Sequence, residues 1–381
     1  MPENPIFAIN ARVARLREQG ADIVLLTAGE PSTHTADAIV RAAQDAVADP
    51  TTHHYGAAAG EPTLRRAIAA SLPGDGWTES DVVVTVGAKH ALHLAVRAVT
   101  SGGDEVLVIE PGWPGHAAAV RAAGAEPVAV RTRDNLSLDP ADVAAAITSR
   151  TRAVILASPA NPTGTVLPQQ AIGDLAAIAS RANLWVISDD VYSALAYSGG
   201  YAHVLDAVPQ LRDRTIMVDS VSKEHAMTGW RIGWLAGPAA VVDSAREHLA
   251  ATITHVPLAM QRAATAALHD HDGPSEARQL YRSRRDRLVA ALDRLPGIDC
   301  PVPDGGMFAF PSVAGLLAAN GWSGSTALLE HLIDAGVAVV PGEAFAAPDR
   351  LRICFAVDDA TLDTAIERLT ASLTELQRVS A

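Results

Sequence analysis

Residues 215–237, TIMVDSVSKEHAMTGWRIGWLAG, decide the fold and the chemistry of this chain. The opening TIMVD is an apolar run typical of a buried strand, and the turn after it carries Ser220, Ser222 and Lys223. A glycine then interrupts the chain shortly before Arg231, so one short loop presents an amine, two hydroxyls and a guanidinium. Guanidinium and hydroxyl groups bind phosphate, and a deprotonated lysine amine condenses with a carbonyl. The loop is therefore predicted to bind a ligand that carries both a phosphate and a carbonyl.

Lysine is rare in this chain, which sharpens the prediction. Of the 30 Lys and Arg residues, only Lys89 and Lys223 are lysines. Arginine cannot form a Schiff base, because its guanidinium stays protonated. A single lysine is usually a solvated surface charge, but one retained at this place indicates a chemical requirement. We interpret Lys223 as the residue that reacts with the carbonyl.

Length, charge and cysteine content restrict the class of protein. The 381 residues exceed a typical single core, so two domains are predicted. The net charge of −13, without a long acidic run, argues against nucleic acid or an anionic membrane as a partner. Cys300 and Cys354 are too few for a disulfide framework and, with the histidines, show no metal-ligand spacing, so we predict no metal site. No apolar stretch approaches the ~20 residues of a membrane helix, and we expect a cytoplasmic protein.

Apolar strands alternate with helical stretches through the middle of the chain. The predicted strands are 82–86, 105–109, 128–130, 153–157, 184–188 and 215–219. This alternation predicts an α/β fold with a mostly parallel sheet between helices, and in such sheets ligands bind beyond the carboxyl ends of the strands. Short apolar runs at 307–310, 337–340 and 351–356 predict a second, smaller sheet. We expect a large ligand-binding domain, 46–290, and a discontinuous small α+β domain, 1–45 and 291–381.

Nine motifs occur in an order that is similar to a known family. They are TAGEPS, HHYGAAAGEPTLRRAI, VTVGAKHAL, EPGW, SPANPTG, ISDDVY, SVSKEHAMTGWRIGW, GGMFAF and LRICFA. Together they resemble the fold-type-I pyridoxal 5'-phosphate (PLP) enzymes of the class I and II aminotransferase family, most closely the bacterial aspartate and prephenate aminotransferase subgroup. One NPTG would be a weak signal, but the motifs cover nearly the whole chain. The resemblance implies a large domain with a seven-stranded sheet and PLP as cofactor.

The resemblance also implies roles around the cofactor ring. Lys223 would hold PLP covalently and move a proton, and Asp189 would pair with the pyridine nitrogen. Asn161 and Tyr192 would donate hydrogen bonds to the ring oxygen, and Trp113 would stack on the ring. Taken alone, Asp189 also fits a helix cap, Asn161 a turn before proline and Tyr192 a core aromatic.

A further set of residues is implied to surround the phosphate. They are Ser220, Ser222, Arg231, Gly87, Ala88 and Lys89, the last three at the start of a helix whose free N–H groups suit an anion. Tyr55 would reach the phosphate of a neighbouring subunit. The resemblance therefore implies a homodimer in which two chains build each site.

Substrate residues are implied at the other end of the site. Arg352 would clamp the α-carboxylate, assisted by Gly29, Asn161 and Trp113. The charge of Arg352 lies inside an apolar strand, which favours a ligand over a solvated position. For Lys89 two roles stay open, namely contact with the distal carboxylate of a dicarboxylic substrate and support of the phosphate.

Several positions depart from the subgroup. They are 31–34 (PSTH) in place of Pro-Asp-Phe, Glu224 and His225 after the lysine, Asp190 for Glu, Phe308 for Tyr, and His116 for an aromatic residue. These changes leave the cofactor residues in place and favour a pocket reshaped toward a polar or basic side chain.

The resulting expectation is an aminotransferase that moves an amino group between an L-amino acid and a 2-oxo acid by a ping-pong mechanism. A PLP-dependent lyase, cyclase or oxidase would use the same residues and is the alternative. A regulatory module that binds PLP without turnover is a third hypothesis, against which the acidic charge and the lack of a fused DNA-binding segment count.

Overall fold

The computed structural model describes residues 5–197 and 201–380 of the chain. Within these residues the strands are β1 (Val24–Leu25), β2 (Val82–Thr85), β3 (Glu105–Glu110), β4 (Glu126–Arg131), β5 (Thr151–Ala157), β6 (Trp185–Asp189), β7 (Thr215–Ser220), β8 (Gly233–Ala236), β9 (Phe308–Ala309), β10 (Val337–Ala338), β11 (Val340–Pro341) and β12 (Leu351–Cys354). The helices are α1 (Pro5–Glu18), α2 (Asp37–Ala48), α3 (Pro62–Ser71), α4 (Ala88–Val99), α5 (Pro114–Ala122), α6 (Pro140–Ala145), α7 (Gln169–Arg181), α8 (Val204–Ala207), α9 (Ala239–Thr252), α10 (Leu258–Leu268), α11 (Asp272–Leu292), α12 (Ala314–Ala319), α13 (Ser325–Asp334) and α14 (Asp359–Ser380). None of these helices is both long and apolar enough to cross a bilayer.

A seven-stranded sheet forms the centre of the molecule. Its strand order is β2-β8-β7-β6-β5-β3-β4, and β8 alone runs antiparallel to its neighbours β2 and β7. The predicted α/β class and the mostly parallel sheet are confirmed. Strand β8 had no prediction of its own, because the four residues GWLA are a short run that begins with a glycine.

The sheet is covered on both faces, which explains its continuous apolar strands. Successive side chains of a strand point to opposite faces. Accordingly Val82 and Val84 pack in a core with α2, α3, α7 and α10, whereas Val83 packs in a second core with α4, α5 and α9. Burial on both faces selects for Val, Ile and Leu at every position of a central strand.

The carboxyl ends of three neighbouring strands carry the polar residues of the chain's motifs. Strand β5 ends at Ala157, before the segment that contains Asn161, while β6 ends at Asp189 and β7 at Ser220. Because β5, β6 and β7 are parallel and adjacent, these ends meet at one edge of the sheet.

A third core surrounds the small strands near the C-terminus. Strand β12 pairs with β11 and β9, and α1, α11, α13 and α14 pack against this group. Helix α2 contributes to the core of the large sheet and packs on α10, although most of it lies before the predicted boundary at 45. Helix α11 contributes to the core of the small sheet, although most of it lies before the predicted boundary at 290. The division into domains stays a prediction.

Candidate active site

A cavity of about 350 Å³ lies at the carboxyl edge of the large sheet, between this sheet and the strand that carries Arg352. It is lined by twelve of the predicted site residues, Gly29, Ala88, Lys89, Trp113, Asn161, Asp189, Tyr192, Ser220, Ser222, Lys223, Arg231 and Arg352. Gly87 lies just behind this lining, and Tyr55 lies outside it.

Lys223 sits in the turn after β7, and its side chain is largely withdrawn from solvent. Its Nζ donates a hydrogen bond to the carbonyl oxygen of Gly29 at 2.5 Å. Burial is the main cause that lowers the pKa of Lys223 to about 8; Cys354 and Glu30 oppose it, and the positive charges of Arg352 and Arg231 add to it to a smaller extent. A sizeable fraction of the amine is therefore neutral near physiological pH, as a nucleophile or base requires.

Asp189 is held by a histidine. The Nε2 of His116 donates to Oδ2 of Asp189 at 2.8 Å, and both side chains are mostly buried. The ring of His116 also packs edge-on against Trp113, with centroids 5.5 Å apart and planes at 88°. Trp113 caps α5 and His116 follows one turn later, so the two side chains share one side of the helix. Sequence reasoning noted His116 only as a departure; the W-x-x-H spacing was the signal for this contact.

Arg231 and Gly87 form a close pair at the start of α4. Arg231 adopts a left-handed conformation, φ 59°, and its guanidinium donates to the carbonyls of Thr228 at 2.9 Å and Val86 at 3.2 Å. Gly87 precedes the helix at φ 76°, and a Cβ at this position would lie 2.6 Å from Nη2 of Arg231. Only glycine therefore lets the guanidinium reach the helix N-terminus, where free N–H groups and the helix dipole favour an anion.

The hydroxyls of Ser220 and Ser222 lie beside this pair and are buried. The backbone N–H of Ser222 donates to Oγ of Ser220 at 3.3 Å. The loop after β7 thus places its hydroxyls and its lysine amine in the same cavity, as predicted from residues 215–237.

Arg352 is only 2% exposed, in the middle of β12. Its two terminal nitrogens donate to Oδ1 of Asn161 at 3.0 Å and to the carbonyl of Thr27 at 2.7 Å. Its guanidinium also lies 4.3 Å from the ring centroid of Phe308. Its Nε is buried with no hydrogen-bond partner among the residues that the structure describes. Burial lowers the pKa of Arg352 to about 10, which a carboxylate ligand would counteract.

Tyr192 is buried next to Phe308, with ring centroids 6.1 Å apart and planes at 76°. Burial raises the pKa of its phenol above the ordinary value, so the hydroxyl keeps its proton and can donate a hydrogen bond.

Lys89 and Tyr55 are exposed members of the predicted set, as is Arg231. Nζ of Lys89 lies 5.3 Å from the ring centroid of Trp113, a cation–π geometry at the edge of the cavity. Tyr55 is 88% exposed and packs edge-on against His255, with centroids 6.0 Å apart. Within one chain, therefore, Tyr55 does not join the cavity.

The structure adds lining residues to which the sequence analysis gave no role in the site. They are Ile6, Phe7, Leu92, His116, Ala157, Pro159, Val191 and Thr228. Most are apolar and give no sequence signal beyond ordinary packing. Thr33 and His34 line a neighbouring open groove instead of this cavity. Across the described ranges, no group of three or more His, Cys, Asp or Glu side chains is placed to hold a metal ion.

Comparisons with known proteins give a consistent result. Residues 21–369 match the model of the family described as aminotransferase class I and II. The aspartate/prephenate aminotransferase of Thermus thermophilus is 35% identical over 382 residues, which cover 98% of this chain and 97% of that protein. The arginine–pyruvate transaminase of Pseudomonas aeruginosa is 38% identical over 380 residues, 97% of this chain and 94% of that protein. The solved structure of the Thermus thermophilus aspartate aminotransferase with maleate superposes with a TM-score of 0.91 at 34% identity, covering 98% of this chain and 97% of that one.

Proposed function

The chain belongs to the class I and II aminotransferase family, and from this premise we propose that it transfers the amino group of an acidic amino acid to a 2-oxo acid. The enzyme is an aminotransferase, the structure has the type I fold of PLP-dependent transferases, and members of this family use PLP. The matched relatives bear aminotransferase or transaminase names, so nothing favours the lyase, cyclase or oxidase alternative.

PLP fits the donor set of the cavity. The Arg231–Gly87 pair, the start of α4 and the hydroxyls of Ser220 and Ser222 suit its phosphate. Lys223, with its lowered pKa, suits its carbonyl. We assign these five residues to the cofactor, with Ala88 adding its backbone N–H at the start of the helix.

When bound, PLP supplies an electron sink for the carbanion formed at the substrate Cα. Asp189, kept in place by His116, would pair with the pyridine nitrogen, and Asn161 and Tyr192 would bind the ring oxygen. Lys223, near enough to Gly29 for a hydrogen bond, would take the proton from Cα and return it elsewhere.

The α-carboxylate of the substrate is assigned to Arg352. The guanidinium is fixed on two sides by Asn161 and Thr27, so it needs little reorganisation when a carboxylate binds. Its buried Nε remains available to an acceptor. The backbone of Gly29 and the ring of Trp113 complete the proposed contacts.

The charge of the cavity carries the proposal of an acidic substrate. Four cationic side chains line it, Lys89, Lys223, Arg231 and Arg352. Asp189 is its one lining carboxylate among the described residues, and His116 already pairs with it. Once three of the cations serve the cofactor and the α-carboxylate, Lys89 is left for a second carboxylate. A basic substrate, as named for the Pseudomonas relative, would find no unpaired carboxylate in this cavity.

We also propose that two copies of the chain assemble and that Tyr55 serves the site of the second copy. The support is its 88% exposure and its distance from the cavity of its own chain. A cytoplasmic location is proposed because Cys300 and Cys354 are buried and unpaired, as in a reducing compartment.

The test is a panel of acidic, neutral, aromatic and basic amino acids mixed with the PLP-loaded enzyme without oxo acid, followed by absorbance and mass analysis of the products. We expect one 2-oxo acid per site, released fastest from aspartate or glutamate. Release of ammonia or peroxide, or of a cyclised product, would replace transamination with the alternative reaction. Fastest release from arginine would overturn the acidic substrate but not transamination.

A further inference from the structure

A second cavity, of about 120 Å³, lies behind the loop that carries Lys223. Its polar lining consists of Asp190, Asp219, Glu224, His203 and Trp234, together with Ser71 and Ser193. We call this cavity the acidic chamber. Its remaining lining, Leu72, Pro73, Met217 and Leu268, is apolar, so α3 and α10 bring no charge to it.

The acidic chamber and the active-site cavity are lined by neighbouring residues of the same chain segments. Asp189, Ser220 and Lys223 face the active-site cavity. The residues next to them, Asp190, Asp219 and Glu224, face the chamber. The ends of β6 and β7 and the lysine loop are therefore a thin wall between three carboxylates and the proposed cofactor site.

Asp190 is only 3% exposed and incompletely paired. Ser188 donates to its Oδ1 at 2.8 Å, and Nδ1 of His203 lies 3.6 Å from the same oxygen. Its Oδ2 and the Nε1 of Trp234 are buried, and neither has a hydrogen-bond partner in the described part of the chain. A donor and an acceptor are thus both left open at one small cavity, and a polar cavity of this volume is large enough to hold water.

The other two carboxylates strengthen the negative charge. The backbone N–H of Ser220 donates to Asp219 at 2.7 Å, and His225 Nε2 lies 3.3 Å from Oε1 of Glu224. Burial raises the pKa of Asp219 well above its usual range, and the carboxylates of Glu224, Asp190 and Asp189 raise it further. Burial lowers the pKa of His203, but the nearby carboxylates of Asp190 and Asp206 outweigh this and raise it. The Nδ1 of His203 is hydrogen-bonded to the hydroxyl of Tyr201 at 3.0 Å.

We propose that the acidic chamber binds a proton shared among Asp190, Asp219 and Glu224, and that gain or loss of this proton sets the charge behind Lys223. With the proton in place the wall carries one negative charge less. When the proton leaves to solvent at higher pH, the added negative charge favours the protonated form of Lys223. Three carboxylates at one small cavity are costly to keep ionised together, and His203, the one group of the described lining that can carry a positive charge, balances at most one of them. The described residues place no metal-binding group there.

The proton itself is tested without cofactor. A carboxyl whose pKa is higher in the folded than in the unfolded protein holds more protons when folded, so stability falls as pH rises above the unfolded value of 3.8. We expect Asp219→Asn to melt at least about 2 °C above the wild type at pH 8, a difference that shrinks toward pH 4. Glu224→Gln should make the pH-dependent loss of stability smaller and end it at a lower pH, because a neighbouring like charge is gone and the folded-state pKa of Asp219 falls. Asp213→Asn, which removes an exposed carboxylate just before β7, should follow the wild type.

Two results would overturn the proposal. One is that Asp219→Asn and Glu224→Gln both show the pH profile of the wild type. The other is a saturable stabilisation of the wild type by Na⁺ or K⁺ that is absent in Asp219→Asn, which would assign the chamber to a cation. Either variant alone suffices if the other fails to fold.

The effect on Lys223 rests on the proposed function and has its own readout. The pH midpoint of the absorbance change of bound PLP should fall in Asp219→Asn and Glu224→Gln by about one unit or less, the order expected when one nearby charge is removed in a partly screened interior. If the midpoint were unchanged while the cofactor-free stability changed, the bound proton would be supported and its influence on Lys223 would be contradicted. If PLP did not bind at all, the cofactor-free experiment would still decide whether the chamber holds a proton.

Discussion

Replacing Lys89 by alanine removes the one cation of the cavity that the cofactor and the α-carboxylate do not require. A charged hydrogen bond contributes about 1.5–3 kcal/mol when it is sheltered from water. Lys89 is exposed at the cavity edge, with Nζ 5.3 Å from the Trp113 centroid, so solvent screening places its contribution at the lower end of this range or below it. We expect kcat/KM for aspartate to fall about 5- to 30-fold, which corresponds to about 1–2 kcal/mol.

The assay compares donors, because the size of the loss alone would not identify the contact. Lys89→Ala should change kcat/KM for alanine less than about twofold. Lys89→Arg keeps the charge and should retain most of the activity with aspartate. Arg97→Ala removes an exposed cation from the same helix, outside the cavity, and is the matched control. An equal loss with aspartate and alanine would refute the reasoning and assign Lys89 to the phosphate of the cofactor.

Further predictions concern the other charged residues of the cavity. Lys223→Ala should lose turnover while still binding PLP non-covalently, and substantial remaining transamination would contradict its role. Arg352→Ala should raise KM for amino donors irrespective of side chain, by about 10- to 100-fold for a lost charged hydrogen bond, which steady-state kinetics with aspartate and alanine would measure. His116→Phe keeps the packing against Trp113 but removes the hydrogen bond to Asp189. PLP affinity, measured by absorbance titration, should therefore fall about tenfold. An unchanged affinity would show that the histidine does not support the carboxylate. In cofactor-free protein, the pKa of Lys223 is lower in the folded than in the unfolded state, so the folded state binds fewer protons between pH about 8 and 10.5. The stability of the wild type should therefore rise across this pH window relative to that of Lys223→Met. The difference is at most about 3 kcal/mol, and a flat difference in denaturant titrations would contradict the burial of the amine.

Much of this site was predictable because its residues lie where local sequence controls position. The apolar runs that end in Asp189 and Ser220 indicate parallel strands, and parallel strands bring their carboxyl ends together. Gly87 was recognisable as the start of a helix, because it stands directly between a predicted strand and a helical stretch. Arg352 was predictable from a different principle, since a charge inside an apolar strand requires a partner.

Contacts between distant segments were not predictable. The bond between His116 and Asp189 joins residues 73 positions apart, and its geometry depends on how α5 is placed relative to the end of β6. Strand β8 was missed because pairing with β2 and β7, not apolar content alone, makes those four residues a strand. The packing of α2 against the large sheet likewise depends on α10, which lies more than 200 residues away.

The unequal exposure of the two lysines makes the protein selective toward amine-reactive reagents. Lys223 is shielded in the cavity, whereas Lys89 is open to solvent beside an indole ring. In enzyme whose Lys223 is occupied by PLP, an amine-reactive dye would therefore modify the side chain of Lys89, and Trp113 could quench it. Such a conjugate would report ligand entry by fluorescence, and attaching the enzyme to a support through lysine would obstruct the mouth of its own cavity.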